Sequence, residues 1–482
     1  MHNQASHDSG EADEPPQTDR IDLGRDRRVT RMPETRELVR NIGSTLVTRI
    51  VTLVLALLSS VLLARVLGPE GRGIFALVMI LPSLAGTIGL MGFEQANAVY
   101  AGLEPLRRRA LAWQSAAVAA VMGSALAAAG ASYCLAGAPG LEALRSAPSS
   151  FVLLMLAIIP AQLVVLYWSA IIRGMNRIQS LNLLEVGARV AALAGIVVLV
   201  WRLDLGVAGV VWLEVALTLG AAIVVGVLLW TAVGWGPPVW DAGLWRRVTA
   251  FALPVHMGSI AAYLNYRVDE IFIATLLPPE QLGVYVIAVA LVERIWILPG
   301  SVSNVLLPHL TSSRERGASV VAEICRHVAM WTGAVCMILL VAAGPLVTLL
   351  YSSKFAGAVA PLRWLLAGIF TLSIGKVLVG ELLAREKARY TMWASGAAVV
   401  TNVAGNLLLV PRMGIAGAAL ASSVSYSVLA GVVTWYYLRV TGTRWTSLVP
   451  RVEDLSAYKN LWCRILRGHV TEEPVMGRGT AK

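Results

Sequence analysis

The chain has 482 residues, 57% of them hydrophobic and only 14% charged, with a formal net charge of +11. Those proportions exclude an ordinary soluble domain, because too few polar side chains are present to cover a water-facing surface. The positive charge is not a nucleic-acid footprint, since the basic residues cluster at the ends of apolar runs, where the positive-inside rule puts them.

Residues 1–36 are polar, acidic early and Arg-rich later, and read as a disordered cytoplasmic tail without a cleavable signal peptide. Six apolar spans follow at about 42–64, 74–99, 110–136, 151–172, 182–201 and 206–232, which makes residues 37–232 a first lobe. A Gly- and Pro-containing segment, 233–249, joins it to a second lobe, 250–438. That lobe carries spans at about 250–276, 282–307, 323–350, 358–383, 391–410 and 414–438. The spans run from about 20 residues upward, the length that a bilayer-crossing helix needs. Residues 439–482 form a second cytoplasmic tail, where Leu455, Tyr458, Leu461, Trp462, Ile465 and Leu466 interleave with basic residues. An amphipathic helix on the inner leaflet and a solvated tail fit that pattern equally.

The two lobes are an internal repeat. Leu67-Gly68-Pro69-Glu70-Gly71-Arg72-Gly73-Ile74-Phe75 returns as Leu277-Pro278-Pro279-Glu280-Gln281-Leu282-Gly283-Val284-Tyr285, 210 residues on, and Gly206-Val207-Ala208-Gly209 returns as Gly414-Ile415-Ala416-Gly417. A duplicated membrane unit implies a transporter with substrate held between pseudo-equivalent halves. With the N-terminus inside, the internal cytoplasmic loops hold 13 basic residues and the outer loops six, so both termini are expected in the cytoplasm. The outer loops are too short to house chemistry, and the four cysteines lack metal-ligand spacing. No catalytic residue, metal or cofactor is expected.

Leu63-Ala64-Arg65-Val66-Leu67-Gly68-Pro69-Glu70-Gly71-Arg72-Gly73-Ile74-Phe75-Ala76 after span 1 resembles the start of polysaccharide-export flippases of the Wzx type. These belong to the multidrug/oligosaccharidyl-lipid/polysaccharide exporter superfamily. Arg173-Gly174-Met175-Asn176-Arg177, Arg267-Val268-Asp269 and the Gly-x-Ala-Gly starts of spans 6 and 12 fit the same resemblance, which covers residues 38–438. It implies an all-α membrane protein of about 12 helices in two six-helix lobes, with the MATE-like fold. It also implies alternating access, with an undecaprenyl-pyrophosphate-linked oligosaccharide moved across the bacterial cytoplasmic membrane. Partners would be that lipid-linked substrate, membrane lipids, and a polysaccharide polymerase with glycosyltransferases; no nucleic acid is expected. Twelve spans rather than fourteen argue against a murein precursor as cargo. A cation-coupled drug or metabolite exporter of the same superfamily is the alternative, and an integral-membrane polymerase a second.

Charged side chains within spans mark candidate sites, because each costs about 2.5–3.5 kcal/mol at a lipid-exposed helix centre. Arg363 and Arg189 lie near span ends, from which they reach the surface. Arg49, Arg267, Arg294 and Lys376 are better candidates for a cavity, with Thr52, Tyr263 and Asn304 as polar neighbours. The polar stripe of span 7 (His256, Ser259, Tyr263, Arg267, Glu270) matches that of span 1 in the repeat frame. Arg49 and Arg267 are expected to hold the diphosphate. Asp269, Glu270 and Glu293 are candidates for coupling or gating, with a structural ion pair as the alternative for Glu270. Asn402 and Asn406, one turn apart, read as interhelical hydrogen bonding.

Overall fold

The computed structural model describes residues 35–138, 140, 142–296, 317–385, 387–451 and 453–454. Among them the chain is helical and contains no strand. α1 (Thr35–Gly89) holds two crossings, because it turns at Gly68, where φ is 68° and ψ is −177°. Glycine accepts that backbone without steric cost, and Pro69 is preorganised to restart the helix. A straight run of such length would be about 80 Å long, well over twice the hydrocarbon thickness of a bilayer.

α2 (Phe93–Leu103) finishes span 2 beyond a break at Met91 and Gly92. α3 (Arg108–Leu135) is span 3. Span 4 is divided into α4 (Ser149–Ala157) and α5 (Ile159–Gly174), the break falling just ahead of Pro160. Proline at that place removes a backbone donor. α6 (Ile178–Gly195) ends in a π-helical turn, Ile196–Arg202, and α7 (Gly206–Val233) completes the first lobe.

α8 (Ala242–Leu276) begins eight residues ahead of the expected span 7. The reason is local: the Asp241 carboxylate accepts a hydrogen bond from the Leu244 backbone N–H at 2.9 Å, capping a helix inside the expected linker. α9 (Pro279–Glu293) carries span 8 as far as a short 3₁₀ turn, Arg294–Trp296. The rest of that span lies outside the described residues. α10 (Gly317–Tyr351), α11 (Val359–Ala384), α12 (Ala388–Met413) and α13 (Ile415–Thr441) complete the second lobe.

Nine helical runs among the described residues are long and apolar enough to cross a membrane, the first being Val47–Gly89 with its two crossings. Neither α8 nor α9 is among the nine. α8 gives up apolar character to His256, Asn265, Arg267, Asp269 and Glu270, so the helix that sequence singled out as polar is the one that departs from a lipid-facing composition. Elsewhere large apolar side chains face outward, such as Val341 at 76% exposure and Val400 at 70%. On a soluble protein so extensive an apolar exterior would drive association; here it forms the lipid-facing surface of a multi-pass membrane protein.

The repeat is visible in the backbone. Gly206 and Gly414 open α7 and the α12–α13 turn with φ of 56° and 58°. The Pro-Glu-x-x-Gly turns of the two lobes meet each other directly. A methyl group on Gly73 would lie 1.7 Å from the Pro279 carbonyl oxygen, and one on Gly283 would lie 2.0 Å from the Pro69 carbonyl oxygen. Position 73 maps to 283, and 69 to 279, in the 210-residue frame, so the pseudo-twofold relation passes through this seam. The second crossing of α1 and α9 thus close one end of the space between the lobes.

Candidate functional site

Beneath that seam is a cavity of about 480 Å³ between the lobes. The second crossing of α1 lines it with Arg72, Phe75, Ser83 and Thr87, α5 with Gln162, α8 with Tyr263, Arg267 and Glu270, and α9 with Val289 and Glu293. A second chamber of about 510 Å³ lies between the first crossing of α1, α6 and the end of α9. Thr48, Arg49, Thr52, Asn182, Glu185, Arg189 and Arg294 line it. A side recess of about 490 Å³ is walled by Tyr263, Tyr266, Arg267 and Trp296. Glu293 faces all three spaces, and Ala290 joins it in the first two.

The charges are distributed unequally. The Arg267 guanidinium is held between Glu270, one helical turn along α8, and Glu293 of α9 at 3.1 Å. Expected as half of a diphosphate clamp, Arg267 is instead taken up by two carboxylates in this conformation. Arg49, Arg189 and Arg294 form no ion pair among the described residues. Arg294 donates to the Ala290 carbonyl, while its Nε is buried with no partner among the described residues. Arg189, expected to reach the surface from its span end, lines the second chamber with the other two. Its position on α6 faces the first crossing of α1, a tertiary fact that helix periodicity in one span does not contain.

The remaining candidates divide. Thr52 lines the second chamber and returns a hydrogen bond to the Arg49 carbonyl at 3.2 Å. Tyr263 and Glu270 line the interlobe cavity. Lys376 stacks its ammonium over Trp296 at 4.1 Å and over Tyr266 at 5.4 Å, behind the aromatic recess. Asp269 is buried at 2% exposure and lines none of these spaces. It accepts from the Tyr285 hydroxyl, from Ser422 Oγ at 3.0 Å and from the Glu270 N–H at 2.9 Å, tying α8 to α9 and α13. Asn402 donates to the Asn265 carbonyl of α8 at 2.8 Å, the interhelical bond expected there, whereas Asn406 donates to Asn402 on its own helix at 2.6 Å. Asn304 lies outside the described residues.

Arg72 and Gln162 escaped the sequence reading. Arg72 counts as a loop residue when the spans are drawn from hydropathy, but the helix restarts at Pro69 and brings it into the cavity wall. The Gly68-Pro69 pair carries that information, as a restart signal rather than a loop.

Two family models each match more than half of the chain: "Polysaccharide biosynthesis protein" over residues 38–314 and "Lipid II flippase MurJ" over residues 188–451. No curated protein sequence matches. Among solved structures, lipid II flippase MurJ in an inward closed conformation is 14% identical with a TM-score of 0.65, over 90% of this chain and 94% of that one. An inward-facing MATE family multidrug resistance transporter of the MOP superfamily has 14% identity and a TM-score of 0.63, over 81% of this chain and 94% of that one. A Vibrio cholerae MATE transporter has 14% identity and a TM-score of 0.58, over 86% and 98%. These likenesses show the fold: two six-helix lobes, MATE-like. The matched families and neighbours are transporters and flippases, not enzymes.

Proposed function

This chain belongs to the polysaccharide biosynthesis protein family, the polysaccharide-export flippases of the multidrug/oligosaccharidyl-lipid/polysaccharide exporter superfamily, and from that premise we propose that it translocates an undecaprenyl-pyrophosphate-linked oligosaccharide. The observation that carries the reading is the trio Arg49, Arg189 and Arg294 around one chamber, with no carboxylate in salt-bridge contact among the described residues. Guanidinium groups present paired N–H donors that match phosphate oxygens, and they stay charged in a low-dielectric cleft. Taking both main chambers together, five arginines face three glutamates, Glu185, Glu270 and Glu293, leaving +2. That balance suits a pyrophosphate diester, which is a dianion.

The lipid tail needs no tunnel. Val47, Ile50, Val51 and Val54 are exposed on the first crossing of α1, the helix that supplies Arg49. A tail in the bilayer can therefore run along α1 while its diphosphate sits in the chamber. The sugars take the wider interlobe space, where Tyr263, Tyr266 and Trp296 offer flat apolar faces and Gln162, Ser83 and Thr87 offer hydrogen bonds. Glu270 and Glu293 hold Arg267 until an anion competes for it, which makes that triad the gating element of the cycle. With both termini cytoplasmic, the Gly73–Gly283 seam is the outer closure and the arginine chamber loads from the inside of the bacterial inner membrane. A glycosyltransferase set upstream and a polymerase downstream are the partners this placement calls for.

A cation-coupled drug exporter of the same fold would use an aromatic recess to hold a cationic cargo. Here Lys376 already occupies the face of Trp296, which favours the anionic cargo. Deleting the gene and measuring lipid-linked glycan on each leaflet tests the proposal. Accumulation on the cytoplasmic leaflet is expected; unchanged distribution with lost drug resistance would assign the exporter reading instead.

A further inference from the structure

We propose that Arg72 is a second diphosphate-binding station, on the wall of the interlobe cavity across Glu293 from the chamber of Arg49, Arg189 and Arg294. The inference rests on the reading of that chamber as the loading site for a phosphate-bearing cargo. Arg72 lies in the first turn after Gly68-Pro69, on the wall of the 480 Å³ cavity. Among the described residues its guanidinium has neither a hydrogen bond nor an ion pair, and its buried Nε has no partner. Its contact is the Phe75 ring, 5.6 Å away, which steers the group without neutralising it. The two carboxylates of the cavity are bound to Arg267. Glu270 and Glu214 act on Arg72 through space, yet among the described residues neither is in salt-bridge contact with it.

The duplicated scaffold does not require an arginine there. The repeat counterpart of Arg72 is Leu282, fully buried in the second lobe. The charge is an addition to one lobe, and it costs insertion free energy unless something answers it. Its neighbour Gly73 is packed against the Pro279 carbonyl at the interlobe seam. An anion on Arg72 thus sits directly below the contact that must part for release. Between the two stations stands Glu293, which faces both chambers. A diphosphate leaving Arg294 passes this carboxylate, and Arg72 and Arg267 are the cations on its other side. The chain thus carries two phosphate stations, with the Glu293 carboxylate facing both.

Arginine-selective modification of the full-length wild-type protein in nanodiscs with phenylglyoxal, read residue by residue by mass spectrometry, tests this without a variant. The probes are inorganic pyrophosphate and farnesyl diphosphate. At ten times the dissociation constant, a bound probe slows modification of its arginine about tenfold. Slowing at Arg72 by both probes supports the station for a lipid headgroup; slowing by pyrophosphate alone supports it for a free diphosphate. Unchanged modification of Arg72 while Arg294 is protected overturns the second station and leaves the loading chamber standing. Protection of Arg72 without Arg294 overturns the loading chamber instead. As a second measurement, the pyrophosphate stoichiometry should fall from two to one in Arg72→Gln and stay at two in Arg72→Lys; an equal stoichiometry in both variants and wild type contradicts the proposal.

Discussion

Substituting Gly73 with alanine should open the seam between the lobes. The added methyl would lie 1.7 Å from the Pro279 carbonyl oxygen, whereas such contacts essentially never fall below 3.0 Å. The lobes must therefore separate by at least 1.3 Å at this point, the difference between those two distances. The obstructing atom is backbone, so no rotamer change relieves it. Overpacking of this kind costs about 1–3 kcal/mol, which depopulates the closed arrangement roughly 5- to 150-fold relative to any arrangement parted at the seam. Gly283→Ala opposes Pro69 in the same way, with its methyl 2.0 Å from the carbonyl oxygen. Once one substitution has parted the seam, the second finds room, so the double variant should cost less than the sum of the single ones. Spin labels at Glu70 and Glu280, exposed and related by the repeat, report the separation by pulsed dipolar spectroscopy. Cys134 and Cys463 are replaced first; Cys325 and Cys336 are buried. Longer distances and at least a fivefold fall in transport are expected for either variant. A Gly73→Ala protein with wild-type distances and wild-type transport would refute the seam as a closure.

Three further outcomes follow from the same geometry. Charge reversal by Arg294→Glu or Arg49→Glu should reduce glycan export at least tenfold, since a hydrogen bond to a charged group is worth about 1.5–3 kcal/mol; Arg363→Gln, whose side chain donates to the Leu340 carbonyl at the exposed edge, should leave it within about twofold. Asp269→Leu orphans the Tyr285 and Ser422 hydroxyls and should lower stability by about 2–5 kcal/mol, read as a lower melting temperature, with Asp269→Asn less severe because it keeps an acceptor. The Leu244 backbone N–H, and then Arg107, hold the Asp241 carboxyl below its ordinary range. A depressed acid stabilises above its unfolded pKa of about 3.9 and loses that contribution as pH falls through the lower folded value. Wild type should accordingly melt above Asp241→Ala at pH 7 and converge with it once the pH has fallen below the lowered folded value; a gap independent of pH would contradict the assignment.

The repeat and the twelve spans were legible because hydropathy and turn residues act locally. Each described span contains helix, and Gly206 and Gly414 share the left-handed backbone their shared motif requires. The breaks within spans 2 and 4 were less so, since apolar composition continues across Met91-Gly92 and Ile158. The polar face of α8 was readable from periodicity, and Tyr263, Arg267 and Glu270 do share a cavity. What periodicity could not supply was the partner across the gap. Glu293 of α9 reaches Arg267 and engages it. Arg189 faces Arg49 through the packing of α6 on α1, and Asp269 is buried by α9 and α13 although it adjoins two cavity residues. Arg72 was hidden by a helix that restarts earlier than hydropathy suggests.

Reconstitution measures the translocation itself. The purified protein is placed in vesicles carrying undecaprenyl-pyrophosphate-linked oligosaccharide on one leaflet, and a membrane-impermeant lectin reads its arrival on the other. Wild-type protein should accelerate arrival over protein-free vesicles, and Arg294→Glu should abolish the acceleration. Arrival no faster than in protein-free vesicles, or equally fast with Arg294→Glu, would contradict an arginine-lined diphosphate path through this protein.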